Sequence, residues 1–210
     1  MTSPLDRLLE IAGVALATPG RPRAAAVGAD RITPVTRPWA QRDGFHAFES
    51  ALYVHPLATG AAGERSMQAW NEPALWRAVY DDLAAEGLCF AEDVFGGQFV
   101  LLHGEVSTFD PETGARDWLA PDLEGWAEAV LDDYAVLTGH PLAHAWQAQH
   151  GPLQAGQRLV PKIPFVLGGE FTVENLHALD AVEGMRRRGA LARQLRDLPD
   201  GARVTYRVVD

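Results

Sequence analysis

Four short runs of strand-forming residues, at 88–91, 98–103, 105–109 and 116–119, follow one another with only turn-length spacers. A parallel pair needs a crossover of about a dozen residues or more, so these spacers dictate antiparallel neighbours. Gly104 lies where a tight hairpin joins the second run to the third. Asp110, Pro111, Glu112, Thr113 and Gly114 turn the third into the fourth. The mechanism is local: proline presets φ, and glycine supplies a positive one.

Helical patterns flank this block. Asp122 stands as an N-cap before Leu123, Trp126, Ala127, Val130, Leu131 and Tyr134, which share one face. Upstream, Asn71 is placed to cap a helix over 72–86, with Leu75, Trp76, Val79, Tyr80 and Leu83 inward and Gly87 ending it. Downstream, 142–149 reads as a short helix and 178–198 as a longer one. Gly184 and Gly189 weaken the longer one, by about 1 kcal/mol each relative to alanine, and mark close packing against another element. Strands joined by turns, with helices before and after, indicate an α+β fold: a mostly antiparallel sheet covered by helices. Regular β-α-β alternation is absent, which argues against a doubly wound parallel sheet.

The remaining segments fill in the organisation. Residues 1–40 read as an N-terminal helix and linker arm, and 41–210 as the main domain with a C-terminal extension. Ser3 and Pro4 open the first helix, whose apolar positions run from Leu5 to Leu16; four prolines between Thr18 and Pro38 then give an irregular strap. Residues 45–56 read as one strand, 60–63 as a break, 158–167 as an extended edge segment and 170–173 as a short strand. Val204, Tyr206 and Val208 alternate with polar neighbours as a final strand.

Charge narrows the partners. Acidic residues number 28 against 18 basic ones, for a formal net charge of −10. Such a surface repels nucleic-acid phosphates and anionic membrane and favours a basic partner, although solubility alone would also account for it. No run approaches the roughly 18 apolar residues that span a bilayer, and Asp6, Arg7 and Glu10 interrupt any signal-peptide core, so a cytoplasmic location is expected. Cys89 is the single cysteine and sits in an apolar flank, so it reads as a buried, inert thiol.

Catalytic signatures are weak. No phosphate loop, G-x-S-x-G or H-E-x-x-H motif occurs. His140, His144 and His150 are the best metal candidates, but no acidic residue lies between Gly139 and Gly169 to complete their site, so no cofactor is expected. Glu92, Asp93, Asp110 and Glu112 gather at strand ends. They can serve as an acid–base pair, as turn-forming residues or as an acidic patch for a basic partner. Trp76 and Trp126 read as core. Trp39, Trp70, Trp118 and Trp146 are placed less easily, and any exposed one would be a hot spot.

The run from Phe90 to Phe99, with Gly96 and Gly97 at its turn, then the hairpin through Gly104, Phe109-Asp110-Pro111 and the Leu123/Trp126 helix, resembles the SUKH superfamily. That superfamily includes Smi/Knr-type cell-wall-assembly regulators and bacterial toxin-immunity proteins. The likeness covers the middle third of the chain; the arm and the long C-terminal part depart from a minimal domain. It implies an α+β fold, no cofactor and a non-catalytic protein-binding role, in bacteria often the neutralising of a toxin; with the acidic charge, the expected partner is a basic toxin domain. The expected partner-binding residues are Glu92, Asp93, Asp110, Glu112 and Trp118. A regulatory scaffold without a toxin, or a carboxylate- or metal-dependent hydrolase, are the competing expectations.

Overall fold

The computed structural model describes residues 2–17, 36–57 and 65–198. The 60–63 break, the final strand over 204–208 and most of the proline-rich strap fall outside them.

The α+β expectation holds. In chain order the elements are α1 (Pro4–Ile11), α2 (Thr36–Gln41), β1 (Phe45–Ala47), β2 (Leu52–Val54), α3 (Met67–Trp70), α4 (Ala78–Tyr80), β3 (Leu88–Glu92), β4 (Gln98–Leu102), β5 (Glu105–Phe109) and β6 (Arg116–Ala120). They continue as α5 (Leu123–Asp132), α6 (Tyr134–Thr138), α7 (His140–His150), β7 (Gln157–Pro161), β8 (Leu176–Asp180) and α8 (Ala181–Arg196). Strands β1 to β6 form one antiparallel meander in sequence order, and β7 and β8 form a separate hairpin.

The meander follows from its turns. Leu102 pairs with Glu105 across a two-residue loop, His103 and Gly104. Both loop residues are left-handed, with φ of 53° and 92°, as the hairpin turn matching strand twist requires. In the next turn Asp110 accepts the Glu112 N–H at 2.7 Å and the Thr113 hydroxyl at 2.8 Å.

Side chains leave the sheet on two faces. On one, Phe90, Phe99, Leu101 and Val106 pack with Trp126 and Val130 of α5 and with Leu5, Leu8 and Leu9 of α1. The first helix is therefore part of the main core; Ser3 caps it by accepting the Asp6 N–H. On the other face, Cys89, Val100 and Phe109 pack with Trp76, Tyr80 and, from α8, Met185 and Ala192. Burial pushes the Cys89 thiol up to about 11, the inert state its flank implies. A third cluster, with Val94, Ala143, Trp146, Leu159 and Leu176, seats α7 and the β7–β8 hairpin against the end of the sheet.

Four segments correct the sequence reading. The 45–56 stretch is a hairpin, because Phe48, Glu49 and Ser50 are all left-handed and reverse the chain. The 72–86 stretch is no continuous helix: a π-helical turn at Pro73–Arg77 passes through α4 into a 3₁₀ turn at Asp81–Ala84. Asn71 does not cap it. Its side chain instead holds both the N–H and the carbonyl of Cys89 and accepts from Arg77. The strand expected at 170–173 lies at Leu176–Asp180. Finally, α8 begins at Ala181, where the Asp180 carboxylate accepts from the Val182 and Glu183 N–H groups.

Candidate functional site

The loop between β3 and β4 builds one wall of a cavity of about 390 Å³. Asp93 folds back over its own turn: Oδ1 accepts the Phe95 and Gly97 N–H groups, both at 2.8 Å. The loop is anchored to its neighbours because Val94 N–H donates to Thr138 and the Leu159 N–H to Val94. The β5–β6 turn adds Asp110, Pro111 and Glu112 to the lining, and α8 adds Arg188.

The far wall is a compact loop between β7 and β8. The Asn175 side chain donates to the Ile163 and Glu170 carbonyls and accepts the Ile163 N–H, all within 3.0 Å. A Cβ on Gly169 would lie 1.9 Å from the Ile163 carbonyl oxygen, so only glycine fits there. This loop stacks Phe165 on Phe171, centroids 3.8 Å apart and nearly parallel, with Phe95 edge-on to both. Phe171 remains 67% exposed and Val166 43%. Exposed apolar side chains thus rim an opening lined with charge, and the volume falls within the roughly 300–1,000 Å³ of ligand pockets.

The charges are unusual for their burial. Burial pushes the Asp93 carboxyl up to about 7, against the two N–H bonds and the nearby Arg188, which pull it down. The residue as a whole is half-buried. Glu112 is buried and raised for the same reason; its Oε2 accepts the Val166 N–H at 2.8 Å, and its Oε1 has no hydrogen bond among the described residues. Arg188 is 5% exposed. Its Nε donates to Gly184 at 3.0 Å, a second nitrogen donates to the Phe95 carbonyl and a third meets the Met185 sulfur. No carboxylate lies within ion-pair distance of Arg188 among the described residues.

The expected face is thus divided. Asp93, Asp110 and Glu112 come together around one opening. Glu92 does not: it is 2% exposed, its Oε1 lies 2.9 Å from Arg158 Nε, and its Oε2 accepts from Gln98. The Arg158 contact is a close ion pair rather than a well-aligned hydrogen bond. Arg158 also lies over the Tyr53 ring, and the Gln98 oxygen accepts from Trp70. Trp118 is 64% exposed but opposes Ser107 on β6, next to the Thr108–Asp117 pair. Ser107 shares its face with cavity-lining Phe109, so Trp118 lies on that same face at the β6 edge, but it is not among the residues that line the cavity.

Of the three histidines, two meet at one glutamate and the third lies apart. His144 Nδ1 is 2.7 Å from Glu49 and His140 Nε2 is 3.8 Å from it, while His150 stacks on Trp146. Glu49 comes from the left-handed β1–β2 turn, which no local pattern announced. Among the described residues no three side chains form a group that could hold a metal ion. No helix among them is long and apolar enough to cross a membrane.

Sequence reasoning missed Arg188 and the Phe165/Phe171 wall. Arg188 lies in a run of three arginines that reads as a solvated face. Its signal was the pair of flanking glycines. A Cβ on Gly184 would lie 3.0 Å from Val160, and one on Gly189 2.7 Å from the Tyr80 ring. The close packing expected of both is present, and it draws the intervening arginine inward.

No family model matches the chain, and no curated protein matches it. Among solved structures, the crystal structure of Atu4351 from Agrobacterium tumefaciens is similar, with a TM-score of 0.56 at 14% identity. The match covers 87% of this chain and 86% of that one. At such identity the likeness shows a shared fold alone.

Proposed function

We propose that this chain is a non-catalytic binding module that holds a basic protein partner at the mouth of the cavity, in the manner of the SUKH-type immunity proteins it resembles. The observation that carries the reading is the pairing of exposed Val166 and Phe171 with Asp93, Asp110 and Glu112 around one opening. Apolar anchors beside desolvated charge are what concentrate binding energy at protein interfaces. The net charge of −10 would speed the approach of a basic partner, more so at low salt. A cytoplasmic toxin domain is the partner class proposed. The test is affinity capture by the tagged chain and by a Val166→Glu/Phe171→Glu variant, with the association rate of the captured protein measured against salt. A stoichiometric partner lost in the variant and slowed by salt supports the reading. Equal capture by the variant contradicts it.

A second reading has one specific observation behind it. A carboxyl near 7 inside a cavity is poised for acid–base chemistry, and Asp93 with Glu112 would then serve a hydrolase. Turnover of ester, glycoside or phosphodiester substrates that Asp93→Asn abolishes would favour it over binding.

A further inference from the structure

We propose that the cavity receives the guanidinium of an arginine side chain carried by the basic partner, an inference that rests on the protein-binding reading. The polar atoms around the cavity fall into two groups. Most side-chain donors are engaged. Arg188 spends three of its five N–H groups on two carbonyls and a thioether, Gln98 donates to Glu92 and the Gly96 carbonyl, and the Thr108 hydroxyl donates to the Asp117 carbonyl. The oxygens left over belong to carboxyl groups. Asp93 spends Oδ1 on its turn and leaves Oδ2 without a hydrogen bond among the described residues. Glu112 likewise leaves Oε1.

The complement of spare carboxylate oxygens is a donor. Three carboxyl groups face one committed guanidinium, and a cationic donor is the occupant that would hold them ionised. The wall then selects among cations. The parallel Phe165 and Phe171 rings offer flat apolar surface, which suits a planar, weakly hydrated guanidinium better than a compact ammonium. The occupant's charge also matches the acidic chain as a whole.

The test is an NMR titration of the full chain with N-acetylarginine amide, its uncharged isostere N-acetylcitrulline amide, and N-acetylalanine as an anionic probe. The arginine probe is expected to shift the Phe95, Gly97 and Val166 amides saturably, and the citrulline probe to leave them in place. Asp93→Asn and Glu112→Gln should each weaken arginine binding at least about tenfold, the scale of one desolvated charge contact. Both variants keep the oxygens that hold the Gly97 and Val166 N–H groups, and unchanged spectra away from the cavity check the fold. Equal response to arginine and citrulline, no saturable response, or saturable binding of the anionic probe alone would overturn the proposal. The two readings fail separately. A partner lost in Val166→Glu/Phe171→Glu but retained in Asp93→Asn and Glu112→Gln sinks the arginine pocket and leaves the interface. Arginine-probe binding with no cavity-dependent partner sinks the interface and leaves the pocket.

Discussion

Glu92 and Asp93 are neighbours in sequence and opposites in role. Glu92 ends β3 inside a closed network: Arg158 pairs with it, Gln98 donates to it, and Tyr53 faces Arg158. Asp93 begins the following loop and lines an open cavity with an oxygen to spare. Strand alternation accounts for part of the divergence, since adjacent side chains leave a strand on opposite sides. Supply of partners accounts for the rest. The β7 strand delivers a cation to Glu92, whereas Arg188 is taken up by carbonyls before it reaches Asp93. A buried charge whose partners are complete belongs to the scaffold, and one whose capacity is left over belongs to a site.

The largest effect should come from opening the closed network. Arg158→Met leaves Glu92 buried and uncompensated and should lower stability by about 3–5 kcal/mol in urea denaturation. Adding Glu92→Met should recover most of the loss, because two apolar side chains need no partner. If the double variant is as unstable as the single, the network does more than satisfy its own charges.

The next effect separates the two acids by pH. Because the Asp93 carboxyl is raised to about 7, the folded chain holds a proton that the unfolded chain has lost above the usual carboxylate range. Stability from protonated Asp93 is full below about pH 4 and is lost as pH rises toward 7, by up to about 1.4 kcal/mol per unit. Subtracting the Asp93→Asn profile from the native one should isolate that slope. Arg188 opposes the shift and Glu92 adds to it, so in Arg188→Met the loss should extend to higher pH at the same limiting slope.

Smaller effects refine the boundary. A Cβ on Gly97 would lie 2.5 Å from Asp93 Oδ2 and 3.1 Å from its Cγ, in a carboxyl that two N–H bonds hold in place. Gly97→Ala should therefore lower stability by about 1–2 kcal/mol and weaken the arginine probe, read by thermal melting and titration. Trp118→Ala should do neither beyond about 0.5 kcal/mol, because the side chain is solvated and does not line the cavity. Loss of partner binding in that variant would move the interface to the β6 edge.

How much was legible follows the same division between local and distant causes. The β3–β6 meander and α5 could be read because their punctuation is local: His103-Gly104, the Asp110–Gly114 turn and the Asp122 cap. The β1–β2 reversal could not, since its three left-handed residues include no glycine. Asn71 looked like a cap and was drawn off by the Cys89 backbone, a partner eighteen positions away. At the site, acidic residues at strand ends were readable, but which of them stayed open depended on Arg158 and Arg188. Both come from the C-terminal part, far beyond any local pattern.

The most direct check of the central claim is the side-chain carboxyl titration of Asp93 by carbon-13 NMR, with and without saturating N-acetylarginine amide. The account predicts a midpoint near 7 in the free chain and a clear fall when the probe is present, as a cation fills the place beside Oδ2. A midpoint in the ordinary carboxylate range that does not move, or one that rises with the probe, would contradict it.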